Sequence, residues 1–226
     1  IELLITAMRL YKSGNIHINK IYFLSDASFY TQNTKVSTTL YDINSYYKLN
    51  EELYSFDGYK IDNTFIEQVP KIIEKLKKMQ NRFWLPLSYF NQYYTSYDII
   101  EKLIKLSIIW ESTILSDKKD ELRYTLSIRG SFLLGKNIGE VLKIAYDLRS
   151  SIVHTGDINS ALVKKIKKIL QNDYSDFGVF FYFIKDHLDQ ITRDILNNFL
   201  LKLQNNEEPI EKIATKIDTE IFNKFK

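Results

Sequence analysis

The chain of 226 residues contains no cysteine, only three histidines, three prolines and seven glycines. Without cysteine there is no disulfide framework, zinc finger, thiolate cluster or cysteine nucleophile. Three histidines leave little material for a multi-histidine metal centre. So few glycines and prolines argue against linker-rich or collagen-like chains and against an all-β protein with many tight turns. No run approaches the roughly 20 apolar residues that a membrane span needs, and no signal peptide is visible. What is present is 45% hydrophobic and 26% charged residues, the balance of a soluble globular protein, with 31 basic against 28 acidic side chains. A net charge of +3 neither demands nor opposes a nucleic-acid partner. The first residue is Ile1 rather than Met, which suggests a trimmed chain or a piece of a longer protein with further domains.

Periodicity assigns most of the chain to helices. Ile1 to Lys12 carries apolar residues at helical spacing and stops before Gly14. Ile16 to Leu24 alternates and reads as a short strand, and Thr31 to Asp62 reads as loops with room for one more strand. Helical patterns then follow at Thr64–Met79 with Pro70 inside, Leu85–Tyr94, Tyr97–Leu115 after Ser96 as N-cap, and Lys119–Leu134 before Gly135. Further ones cover Ile138–His154 before Gly156, Asn159–Leu170, Phe177–Leu203 and Pro209–Phe225. The expectation is a mainly α protein: an N-terminal helix with a less regular region over 1–62, and a helical domain over 63–226.

Three charges fall on apolar stripes. Glu111 follows Ile100, Leu103, Ile104 and Ile108; Arg129 follows Leu122 and Leu126; Arg149 shares a face with Leu142, Ala145 and Ile152. A buried charge needs a partner, so Glu111 with Arg129 is expected as an internal ion pair, leaving Arg149 as the surplus cation at a groove suited to a phosphate.

Arg149 is followed five residues later by His154, at the end of its helix, where the dipole favours an imidazolium. Such a pair can hold a phosphodiester and move its protons. Alone the pair is a weak signal, and a histidine that merely caps its own helix explains it equally well. The two residues are also about 140° apart on a straight helix, so they meet at one phosphate only at a frayed helix end or across two subunits.

The stretch Tyr146-Asp147-Leu148-Arg149-Ser150-Ser151-Ile152-Val153-His154, with Glu111 after Trp110 and Arg129 on the intervening helix, resembles the signature of HEPN domains, specifically the Apea-like HEPN family. The specific part of the match spans residues 97–156, and Thr155 departs from it where the family often has Gly. The resemblance implies a HEPN-type helical bundle, a homodimer with a composite site, and metal-independent cleavage of RNA as a toxin or phage-defence effector; the cytoplasm is the compartment expected from a composition with no membrane span or signal peptide in view. The resemblance implies no cofactor and no metal. Arg149 and His154 would be catalytic, with Glu111, Arg129 and Ser150 in support. The alternative is a non-catalytic dimerisation or RNA-binding HEPN module.

Two further motifs have plainer readings. Gly130-Ser-Phe-Leu-Leu-Gly-Lys136-Asn137 imitates a phosphate-binding loop but lacks the final Ser or Thr and a preceding strand. Lys164, Lys165 and Lys168 in ALVKKIKKIL lie close enough after the motif to meet an RNA backbone, although a solvated helix face is the plainer account of them.

Overall fold

The computed structural model describes residues 2–13, 61–79, 82–171, 174–204 and 208–224. Among these the protein is mainly α, and no residue is in a strand. The strand expected at Ile16–Leu24, His17 and nearly all of the loop region expected at Thr31–Asp62 lie outside the described residues. The helices are α1 (Glu2–Tyr11), α2 (Asn63–Met79), α3 (Trp84–Thr95), α4 (Ile99–Glu111), α5 (Leu122–Leu134), α6 (Gly139–Thr155), α7 (Ser160–Leu170), α8 (Asp176–Tyr182), α9 (Asp189–Gln204) and α10 (Ile210–Lys224). A π-helical turn, Phe183–Leu188, joins α8 to α9 without leaving helical backbone angles.

Helix α9 is the centre of the core. It packs against α1, α2, α4, α5 and α10, and Ile195, Leu196, Phe199 and Leu200 are buried along it. Trp110 of α4, fully enclosed, donates its indole N–H to Thr192 of α9 at 2.9 Å. Arg193 is buried on the same helix and bridges two others: its Nε donates to the Arg9 carbonyl of α1 at 2.7 Å, and its Nη2 donates to the Tyr94 hydroxyl of α3 at 2.7 Å and to the Asp189 carboxylate of its own helix. Burial therefore coexists with full hydrogen bonding, as it must for a charge in a core.

Local chemistry sets the helix ends. Asp62 starts α2 by accepting from the Phe65 N–H at 2.8 Å and the Thr64 hydroxyl at 2.6 Å, and Tyr11 of α1 reaches the same group. Those bonds, Thr64 first, hold the Asp62 carboxyl down at about 2. Pro70 neither starts nor ends α2: the acceptor its missing N–H leaves free is the Ile66 carbonyl, on the exposed side of the helix. Helix α4 is capped by Asp98, which accepts from the Glu101 N–H at 2.9 Å; Ser96, expected in that role, instead closes α3 by bonding back to the Gln92 carbonyl. Helix α4 also ends at Glu111 rather than Leu115, because the hydroxyls of Ser112 and Thr113 compete for the Ile108 and Ile109 carbonyls. Helix α5 begins at Leu122 rather than Lys119, since Glu121 takes left-handed angles (φ 53°) and breaks the run.

Helices α5 and α6 come together closely at Gly130, where a methyl group would run into Leu142 Cδ1. This is why glycine stands in the middle of α5. The Gly130–Asn137 motif is thus a helix, its C-cap and a surface lysine: Gly135 terminates α5 with φ 61°, and Lys136 pairs with Asp194 at 3.3 Å.

Candidate active site

The ion pair expected between Glu111 and Arg129 does not form. Arg129 is completely buried and spends all five N–H groups elsewhere: on Asp117 (2.6 and 3.0 Å), Asp218 (2.7 and 2.6 Å) and the Ile114 carbonyl (2.6 Å). Burial opposes the charge, but these bonds outweigh it and raise the Arg129 pKa. They also hold the Asp218 carboxyl below its usual range, and the Asp117 carboxyl too despite its own desolvation. Arg129 therefore clamps α10 and the α4–α5 link onto α5. The sequence could not supply this pairing, because Asp218 arrives from the far end of the chain.

Glu111 instead faces Arg149, with Arg149 Nη2 3.4 Å from Glu111 Oε1. The contact is loose and only partly shielded, the two side chains being 25% and 36% exposed. Arg149 Nε is buried and makes no hydrogen bond, a costly state for a guanidinium N–H. This cation is held without being satisfied.

The end of α6 is fixed without any help from His154. Gly156, at φ 69°, donates its N–H to the Ile152 carbonyl at 3.0 Å. Thr155 Oγ1 donates to the Ser151 carbonyl at 2.7 Å, and Ser151 Oγ donates to the Asp157 carbonyl at 2.7 Å. His154 is exposed and makes no hydrogen bond among the described residues, and neither does the half-buried Ser150 hydroxyl. Thr155, the departure from the family signature, is part of the lock that ends the helix.

Because α6 stays regular to Thr155, helix geometry places Arg149 and His154 about 140° apart around the axis and about 7.5 Å apart along it. Ser150, four residues before His154, shares its face. Arg149 sits at the edge of the buried side, above the end of α4. A frayed end that would swing the pair together is absent, so one chain by itself does not direct both groups at one point.

Lys164, Lys165 and Lys168 are all exposed on α7, whose buried side is Leu162 and Ile166. Beside α6, Arg123 of α5 grips Asp147 with two parallel bonds of 2.6 and 2.8 Å. His187 lies in the π-helical turn against Phe183, and Phe180 and Phe183 of the aromatic run are core residues. Among the described residues no group of three or more His, Asp or Glu side chains is arranged to hold a metal ion, and no helix is long and apolar enough to cross a membrane. The buried Asp189–Arg193 pair escaped the sequence reading; the search for charges on apolar stripes, applied to this last long helix, finds it.

Comparison of the chain with protein-family models, with curated proteins and with solved structures gives no match.

Proposed function

We propose that the protein is a metal-independent endoribonuclease of the HEPN type, acting as a homodimer on RNA in the cytoplasm as a toxin or defence effector. The observation that carries this reading is the state of α6's last two turns. Arg149 keeps a buried N–H without an acceptor, and His154 stands in solvent at a helix end that other residues already cap. Neither group is used up by the fold.

In this reading Arg149 binds the phosphodiester and offsets the charge that builds as the ribose 2′-OH attacks in line. His154 takes the 2′-OH proton or delivers one to the departing 5′-oxygen. The products are a 2′,3′-cyclic phosphate and a free 5′-OH. Proton transfer of this kind is worth about 10² to 10⁴ in rate, and preorganised charge adds to it. The angular separation on α6 is the reason for the dimer: His154 of one chain meets the phosphate held by Arg149 of another. Glu111 positions Arg149, Ser150 lies on the face of His154, and the lysines of α7 extend the cationic surface for the RNA backbone.

A second reading has one observation in its favour. The Glu111–Arg149 contact gives the arginine a partner within the fold, as a non-catalytic dimerisation or RNA-binding module would need. Incubating single-stranded RNA with the protein in excess EDTA separates the two. The nuclease reading expects cleavage with 2′,3′-cyclic phosphate ends, abolished in His154→Ala at unchanged helicity and oligomeric state. No cleavage by the unsubstituted protein over several RNA classes favours the module.

A further inference from the structure

Tyr146, three residues before Arg149 on α6, lines an open hollow of about 490 Å³ whose other walls are Glu121, Leu122, Arg123 and Tyr124 at the start of α5. Its volume falls within the range of small-molecule sites, roughly 300–1,000 Å³. Tyr124 presents its ring to solvent at 59% exposure, and Tyr146 is half-buried. The Arg123 guanidinium is fixed in place by its two bonds to Asp147. The walls thus offer two aromatic rings and one fixed planar cation, the surfaces on which unpaired bases stack.

The polar group in the hollow decides what fits. Glu121 has an exposed carboxylate that does not cap its own helix and makes no hydrogen bond or ion pair among the described residues. With Arg123 already neutralised by Asp147, the hollow carries a net negative charge, which repels a phosphate. It calls for a ligand with two adjacent N–H donors to match the two carboxylate oxygens. Among the bases, guanine presents such a pair, its N1–H and N2 amino group. Adenine and cytosine set a ring acceptor beside their single amino group, and uracil flanks its N–H with two carbonyls.

Position ties the hollow to Arg149. Tyr146 precedes Arg149 by three residues, about 4.5 Å along α6 and about 60° around it. A base lying on Tyr146 therefore belongs to a nucleotide next to a phosphate at Arg149.

We propose that this hollow is a guanine subsite for single-stranded RNA, formed by Tyr124, Tyr146 and the Glu121 carboxylate; it deepens the ribonuclease reading and rests on it. The test uses His154→Ala protein, so that RNA stays intact, and fluorescence anisotropy with two labelled decamers at one salt concentration: all adenosine, and the same strand with one central guanosine. The guanosine strand should bind about tenfold tighter. Tyr124→Ala and Glu121→Gln, both at exposed positions, should each erase that preference, and Tyr124→Phe should keep it. Equal affinity for the two strands, no binding of either, or a preference that survives Tyr124→Ala overturns the subsite. Cleavage in EDTA by the unsubstituted protein is scored separately. A guanosine preference through Tyr124 without cleavage keeps the subsite and sinks the nuclease, and cleavage without the preference does the reverse.

Discussion

Arg129 and Arg149 stand on neighbouring helices, and their partners divide their work. Arg129 has every N–H satisfied by two aspartates and a carbonyl, whereas Arg149 has one loosely held carboxylate at 3.4 Å and an orphaned Nε. Replacing Arg129 by Met leaves two carboxylates and a buried carbonyl without their donor, and should lower unfolding stability by about 3 kcal/mol in urea titrations. His154→Ala should stay within about 0.5 kcal/mol of the parent, as expected of an exposed side chain without a hydrogen bond or ion pair among the described residues. At this scale the sequence located the unusual charges by their place on apolar stripes. It could not assign partners, since Asp117 sits in a link between helices and Asp218 on the terminal helix, both brought to Arg129 only by the fold.

At the scale of elements, helix ends govern both the site and the response to pH. Gly156 ends α6 with left-handed angles, so Gly156→Ala should cost about 1 kcal/mol and loosen the turn that presents His154. Thermal unfolding and the exchange of the Gly156 N–H report the two effects. Asp62, Asp117 and Asp218 all have carboxyls held below their usual range in the folded protein. Their contribution is complete above the unfolded carboxylate value near 4 and is lost as pH falls through the lower folded values. Stability should therefore hold from pH 7 to about 4 and then drop, and Asp117→Asn with Asp218→Asn should reduce the drop.

Lys102 also makes stability rise with pH, but at alkaline pH and by relief of a burial penalty. Its ammonium bonds the Tyr93 carbonyl at 2.9 Å at the end of α3, and burial lowers its pKa to about 8. Between about 8 and about 10.4 the unfolded chain keeps a proton that the folded protein has released, so this lysine makes stability rise over that window. Lys102→Met should flatten the rise in urea midpoints measured from pH 8 to 10. The helices themselves were legible from periodicity and from Gly135 and Gly156. The π-helical turn was not, because Phe177–Leu203 reads as one unbroken apolar helix and nothing in its composition marks the extra residue.

For the whole molecule, the mainly α class was readable because amphipathic stripes recur from Thr64 to the end of the chain. Central α9 became visible only once α1 was seen packed with residues from beyond Ile61, joined by the Arg193 bridge to the Arg9 carbonyl. The site is legible as a set of residues but not as a place, since five helical residues separate Arg149 from His154 by about 140°. That separation makes the second subunit the central claim. The most direct measurement mixes Arg149→Ala and His154→Ala proteins after unfolding and refolding them together, and compares RNA cleavage in EDTA with each alone. Each variant alone should be inactive. The mixture, in which half of the dimers carry one intact site, should recover about a quarter of the parent rate. A mixture as inactive as its components, beside an active parent, would contradict a site shared between two chains.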